Sequence, residues 1–265
     1  MALQSLEEET RGRLGACVLD TATGWSFGWR EHERFAQCSS FKLSLAAMLL
    51  ARSQTREVDL DEVLRWQNTD LLPVSPITSA HLATGLDVRA LARATLVTSD
   101  NTAANVLLRR FGGPPAMTAF WRSLGDDVSR LDRYEPELNE PPPGTDLDTT
   151  SPAAMATTTA ALVHGAVLSA SNRALLKAWM TEVRTGAQRV RAGFPDDWES
   201  GDKTGTGVSD TRQTYVDLAF GGPAGRPPLI VSAFFEPAQR VEPMDPAALK
   251  LLAQVGRIAA RSRAR

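Results

Sequence analysis

Short strand-like runs stand at the two ends of this chain, and between them, from about residue 39 to residue 183, apolar residues recur with helical spacing. Strands at both ends with helices between them predict an α+β fold. The terminal strands are expected to share one antiparallel sheet flanked by helices, and the middle to form a helical lobe. The 265 residues read as a single domain, with a sheet lobe at about 1–37 and 184–265 and a helical lobe at about 38–183. That arrangement leaves a cleft between the lobes for a site.

Leu3–Arg13 reads as a short helix. Leu14–Leu19 and Trp25–Trp29 read as strands joined across Asp20-Thr21-Ala22-Thr23-Gly24, a hairpin signal. Gln213–Phe220 and Leu229–Phe235 flank a connection rich in glycine and proline, and a final helix runs from about Pro246 to Arg261. In the middle, Leu43, Ala46, Ala47 and Leu50 mark one apolar helix face, and Leu91, Ala94 and Thr95, running on to Val106 and Leu107, mark another. Arg130–Asp148 breaks the pattern with Pro136, Pro141, Pro142, Pro143 and Gly144. A loop this long inside a compact domain is usually functional or disordered, and its ionisable groups favour function.

Charge narrows the partners. There are 29 basic and 31 acidic residues, for a net charge of −2, and no basic stripe that would suit a nucleic acid. Arg261, Arg263 and Arg265 read as the solvated end of the last helix, where cations oppose its dipole. No apolar run approaches the roughly 20 residues that cross a bilayer; the best, Leu43–Ala51, contains Ser44. The first nine residues lack the basic and apolar regions of an export signal. Cys17 and Cys38 allow at most one disulfide, with free thiols equally open. His32, His81 and His164 lack metal-ligand spacing, and His32-Glu33 is not followed by the second histidine of a zinc-protease helix. No metal or other cofactor is therefore expected. The tryptophans and phenylalanines read as core, and Arg52, Arg56, Asp59, Asp61 and Glu62 as a solvated charge run.

Three short motifs carry chemistry together. Ser39-Ser40-Phe41-Lys42 opens an apolar helix, and residues three apart share a helix face, so Ser39 Oγ and Lys42 Nζ can meet. A serine is a weak nucleophile until a base takes its proton. At a helix N-terminus it also stands where backbone N–H groups favour developing negative charge. Ser99-Asp100-Asn101 reads alone as a helix N-cap before Thr102–Arg110; in a site, Ser99 becomes a proton relay, Asn101 an amide clamp and Asp100 a buried structural acceptor. Asp202-Lys203-Thr204-Gly205-Thr206-Gly207 precedes a strand. It is similar to the phosphorylation motif of P-type ion pumps, which are large membrane proteins unlike this chain, and it lacks the P-loop pattern. It reads instead as an edge strand whose lysine, threonines and glycine-flanked backbone bind an anion.

Ser-x-x-Lys, Ser-Asp-Asn and Lys-Thr-Gly in that order form the signature of class A β-lactamases and penicillin-binding proteins. The stretch Arg130-Leu131-Asp132-Arg133-Tyr134-Glu135-Pro136-Glu137-Leu138-Asn139-Glu140 closely resembles the Ω-loop of class A serine β-lactamases, and the resemblance covers essentially the whole chain. It implies a periplasmic or secreted monomer that hydrolyses penicillins and some cephalosporins, with a small-molecule β-lactam as its partner and neither nucleic acid nor membrane. Ser39 would attack the strained amide, and the backbone N–H groups of Ser39 and Thr206 would hold the oxyanion. Ser99, aided by Lys42 and Lys203, would pass a proton to the leaving nitrogen. Glu135 with Asn139 would place and activate the deacylating water, while Lys42 and Glu135 both remain open as the acylation base.

The substrate would rest among Asn101, Thr204, Gly205 and Thr206. Its carboxylate would meet Lys203, Thr204 and Thr206, with Arg189 favoured over Arg212 to reinforce the field. Arg133 and Asp148 resemble the ion pair at the loop neck, and Glu135-Pro136 the family's cis peptide. Val74 stands where an aromatic residue usually flanks the cleft mouth, implying a more open entrance. Cys38 resembles the carbapenemase subgroup, whose partner cysteine is replaced here by Gly207, so carbapenem hydrolysis rests on Arg189, Thr206 and Cys38 against Gly207. A DD-peptidase would share Ser39, Lys42, Ser99, Asn101 and Lys203 without needing Glu135 and Asn139. A β-lactam sensor would lack an effective deacylating base.

Overall fold

The computed structural model describes residues 2–209 and 212–263, so Arg265 lies outside the described residues. The N-terminal helix α1 is Ala2–Thr10, and β1 (Arg13–Asp20) and β2 (Ser26–Trp29) form the expected hairpin. The helix is shorter than the reading of Leu3–Arg13. Arg11 adopts a left-handed φ of 55°, which ends the helix and leaves Arg13 to open β1.

The short β3 (Phe35–Ala36) leads through a 3₁₀ turn at Cys38–Ser40 into α2 (Phe41–Gln54). Next come β4 (Val63–Leu64), α3 (Pro76–Ala80), β5 (Leu86–Asp87), α4 (Val88–Val97), α5 (Asn101–Arg110) and α6 (Gly113–Ser123). After the long loop come β6 (Thr149–Thr150), α7 (Pro152–Val163) and α8 (Ala170–Glu182). The chain closes with β7 (Trp198–Val208), β8 (Gln213–Pro223), β9 (Leu229–Glu236) and α9 (Pro246–Arg263).

The five long strands make one antiparallel sheet in the order β2-β1-β9-β8-β7. N-terminal β1 lies against C-terminal β9, from Arg13 opposite Glu236 to Asp20 opposite Leu229, so the chain ends share a sheet as expected for α+β. Side chains alternate across a strand. Leu14, Ala16 and Val18 face an outer core with Leu3, Leu6, Leu251 and Val255 of α1 and α9. Cys17, Val216, Leu218 and Phe234 face the larger inner core under α2, α4 and α7. Covered on both faces, β8 is buried from Gln213 to Gly222.

Helix α2 is the hub of the inner core. Phe41 to Leu50 are buried without interruption, so the apolar face read from the sequence is a whole apolar cylinder, as a central helix requires. Ser44, one of two polar residues in that run with Lys42, accepts the Trp121 indole N–H at 3.0 Å. No helix among the described residues is long and apolar enough to cross a membrane.

Candidate active site

The nucleophile candidate sits where the Cys38–Ser40 turn enters α2. Lys42, one helical turn on, brings Nζ to 3.0 Å from Ser39 Oγ. Ser39 Oγ donates to Glu135 Oε1 at 3.1 Å, and that oxygen lies 2.9 Å from Lys42 Nζ. Lys42 Nζ also reaches the Ser99 carbonyl at 2.9 Å and Asn101 Oδ1 at 2.5 Å. Burial drives the Lys42 amine below its ordinary pKa, although the charges of Glu135 and Asp100 oppose this. The ammonium is thereby brought closer to giving up its proton, as a base for Ser39 must.

Edge strand β7 forms the opposite wall and carries the Asp202–Gly207 motif, with β8 following it. A Cβ at Gly205 would lie 3.0 Å from the Gln37 carbonyl and 3.1 Å from Ser40 N, so a side chain there would crowd the nucleophile turn. Lys203 Nζ donates to Ser99 Oγ at 3.1 Å and to the Thr204 carbonyl at 2.6 Å. Burial, then the charge of Lys42, holds the Lys203 amine well below its ordinary range. Thr204 Oγ1 shares a hydrogen bond with Thr185 Oγ1 at 2.6 Å. Arg189, only 2 % exposed, donates to Thr206 Oγ1 at 2.6 Å and to the carbonyls of Gly205 and Val216, each at 2.8 Å.

The third wall is the loop, where Glu135 is 3 % exposed and its peptide bond to Pro136 is cis. Asn139 Nδ2 donates to Glu135 Oε2 at 2.6 Å. The side chain of Asn105 on α5 clasps Glu135 from below: Oδ1 accepts the Glu135 N–H at 3.0 Å, and Nδ2 donates to the Glu135 carbonyl at 2.8 Å. At the neck, fully buried Asp148 accepts from Asp132 N at 2.7 Å, Arg133 N at 3.0 Å and Arg133 Nε at 2.6 Å.

Backbone strain gathers around these walls. Cys38, Val74, Ser99 and Asp148 adopt left-handed φ values of 46°, 58°, 58° and 53°, conformations that surrounding contacts must enforce on non-glycine residues. Asp100 is the N-cap of α5, accepting from Ala103 N at 2.8 Å, so the helix starts at Asn101, one residue before the expected Thr102. The Asp100 carboxylate also accepts from Ile77 N, Thr78 N and Thr78 Oγ1, which ties α3 to the Ser99 turn.

The structure therefore gathers Ser39, Lys42, Ser99, Asn101, Glu135, Asn139 and Lys203 in one cluster, with Thr204, Gly205, Thr206 and Arg189 along its strand wall. Val74 is 63 % exposed, and its carbonyl accepts the Asn101 N–H at 3.0 Å. Arg212 is exposed and lines another cavity, of about 380 Å³, with Arg13, Arg34, Asn139 and Gly207. Cys17 and Cys38 are buried free thiols, and a Cβ built at Gly207 would lie 2.8 Å from Cys38 Sγ. Among the described residues no cluster of His, Cys, Asp or Glu could hold a metal. Sequence reasoning passed over Asn105, Thr185 and Asp217. An asparagine inside a helical pattern and a threonine in a connection carry no local signal of their partners. Asp217, inside a strand of apolar residues, offered the only visible anomaly.

A family model described as the β-lactamase enzyme family matches residues 1–262. β-Lactamase L2 of Stenotrophomonas maltophilia is 45% identical over 258 residues, covering 97% of this chain and 83% of that protein. The carbapenem-hydrolyzing β-lactamase KPC of Klebsiella oxytoca is 43% identical over 230 residues, covering 86% and 78%. The solved structure of a class A β-lactamase described as the last common ancestor of Gram-negative bacteria superposes with a TM-score of 0.92 at 46% identity, covering 98% of this chain and 97% of that one.

Proposed function

From the premise that this chain belongs to the β-lactamase family, and within it to class A, we propose that it hydrolyses penicillins and some cephalosporins through an acyl-enzyme on Ser39, released by a water that Glu135 activates. Membership makes it a hydrolase of the β-lactam amide; the substrate range and the residue roles are our reading. The observation that carries it is the position of Ser39 Oγ, 3.0 Å from Lys42 Nζ and 3.1 Å from Glu135 Oε1, with Asn139 on the other Glu135 oxygen.

In this reading Ser39 Oγ attacks the lactam carbonyl while its proton passes to Lys42 or Glu135, and the oxyanion lies between the N–H groups of Ser39 and Thr206. Ser99 Oγ, within reach of both lysines, returns a proton to the leaving nitrogen as the ring opens. Water held by Glu135 and Asn139 then gives its proton to Glu135 and attacks the ester, freeing Ser39. Asn101 and the Thr204–Thr206 backbone orient the substrate. Its carboxylate meets Lys203, Thr204 and Thr206, reinforced by Arg189 through Thr206 Oγ1. Arg212 is the less favoured carboxylate partner, because it is exposed and lies just ahead of β8. Val74 leaves the entrance open. Arg133, Asp148 and the cis bond at Pro136 set the loop that carries Glu135.

Carbapenem hydrolysis is a weaker part of the reading. Arg189, Thr206 and Cys38 favour it, and Gly207 in place of a bridging cysteine opposes it. The chain works as one domain and as a monomer, on a small molecule, in the periplasm or outside the cell.

The test is a penicillin time course with intact-mass sampling, run on the native chain and on Glu135→Ala. Many turnovers with little adduct are expected from the native chain. The variant should acylate once and hold a stable adduct on Ser39, with kcat reduced at least ~10³-fold. A single stoichiometric adduct from the native chain would favour the sensor or penicillin-binding reading. Rapid turnover by Glu135→Ala would show that another group deacylates.

A further inference from the structure

Alternation along β8 calls for an apolar residue at position 217, between the outer-core residues Tyr215 and Ala219, yet a fully buried aspartate stands there. Its strand partners are Thr204 on β7 and Ala233 on β9. An isolated carboxyl in an apolar core is strongly unfavourable unless a partner justifies it. Asp217 Oδ2 accepts the Val190 N–H at 2.9 Å. Val190 follows Arg189 directly, so this bond fixes the chain where the Arg189 side chain departs.

The other end of the same turn is also pinned. Gly186 accepts the Arg189 N–H at its carbonyl, at 2.9 Å, and lies so tight on Asp202 that a Cβ there would fall 1.7 Å from Asp202 Oδ2. Asp202 is itself held by Arg191 Nε at 2.9 Å. Two buried aspartates on neighbouring strands therefore brace the 186–190 turn. Among the charges acting on the buried Arg189 guanidinium, Asp217 is the largest and Asp202 the next. From this turn Arg189 reaches the carbonyls of Gly205 and Val216 and ends on Thr206 Oγ1.

We propose that Asp217 is the positioning residue for Arg189, holding the guanidinium against Thr206 so that the substrate carboxylate meets a preformed positive site. The inference rests on the reading that Arg189 serves that carboxylate. Asp217 touches no reacting atom; it acts through the turn. Displacement of a positioned group by about 1 Å can cost as much as 10²-fold in catalysis. Loss of the Val190 acceptor should therefore weaken recognition of the carboxylate and leave the chemistry at Ser39 intact. An asparagine, which keeps an acceptor oxygen for the Val190 N–H, is the natural conservative replacement.

The experiment measures kcat and KM for a penicillin and for its methyl ester, which lacks the carboxylate charge. The proteins are the native chain, Arg189→Ala, Asp217→Ala and Asp217→Asn, with Asp217→Leu in reserve to fill the volume should the alanine variant fold poorly. The readout is the acid-to-ester ratio of kcat/KM. Asp217→Ala or Asp217→Leu should lower that ratio roughly tenfold, mainly through a higher KM for the acid, and Asp217→Asn should restore it to within about twofold. Equal losses on acid and ester would mark Asp217 as merely structural and overturn the proposal. So would an unchanged ratio in both Asp217→Ala and Asp217→Leu while Arg189→Ala lowers it. An unchanged ratio in Arg189→Ala would instead overturn the reading of Arg189, and the proposal with it.

Discussion

The nucleophile and the glutamate that faces it are held by opposite means. Ser39 leads directly into α2, whose first ten residues are buried and, apart from Lys42 and Ser44, apolar. Glu135 lies on a loop whose regular structure is one 3₁₀ turn at Glu137–Asn139, with Leu131 and Leu138 as its buried apolar anchors. Polar bonds do the rest: Asn105 beneath Glu135, and Asp148 and Asp132 across the neck. Apolar packing is strong but non-directional, whereas polar bonds are individually weak and fix a direction. Damage to α2 should therefore appear in stability, and damage to the loop in deacylation.

Leu45→Ala probes the first half. The fully buried Leu45 lies one turn beyond Phe41, and its truncation should cost about 2–5 kcal/mol of stability. At roughly 2–4 °C per kcal/mol, thermal denaturation would show this plainly. At temperatures well below the transition, the rates of acylation and deacylation should stay within about threefold of native. Slow acylation in a folded Leu45→Ala protein would break the comparison, because packing would then be setting the nucleophile's geometry as well as its support.

Asp148→Ala probes the second half. It strips the acceptor from two backbone N–H groups and from Arg133 Nε. Glu135 then loses the neck that holds its loop. Deacylation should slow by roughly 10–100-fold, equivalent to about 1.4–2.7 kcal/mol of barrier, while acylation by Ser39 changes little. Rapid-quench mass analysis would show acyl-enzyme accumulating. Equal slowing of both steps would mean that the loop and the nucleophile form one unit.

The same contrast decides what could be read from sequence. The α+β order, the strand pairing and the helical middle were legible because apolar periodicity is local and the outcome of packing is nearly forced by it. Ser39, Lys42, Ser99, Glu135 and Lys203 were legible through motifs, and the structure brings them within hydrogen-bonding distance of one another. The end of α1 was not, since it turns on the left-handed Arg11. Asn105 and Thr185 were not, and Asp217 showed only as an anomaly without a partner, because each finds its partner across the fold: Glu135 is 30 residues from Asn105, and Val190 is 27 residues from Asp217. A side-chain bond of that kind leaves no periodic trace.

The smallest expected effect is the sharpest sign of polar construction, because the apolar side chains that pack the hub have no proton to lose. Burial pushes the Asp132 carboxyl upward, but hydrogen bonds from Arg130 and from Asp148 N, with the charges of Arg130 and Arg133, outweigh it and leave the group below its ordinary range. A carboxyl with a lower pKa folded than unfolded adds stability above the unfolded value, near ~3.9, and loses it as pH falls through the folded value. Arg130 is 40% exposed in its side chain, so solvent screening keeps the contribution below about 1 kcal/mol. Denaturant titrations of the native chain and Asp132→Asn should therefore separate at pH 6–7 and converge as pH drops below ~4. A gap that stays constant across that range would mean the ionised form of Asp132 contributes nothing to the neck. Its role would then reduce to the hydrogen bond from Asp148 N, which asparagine also accepts.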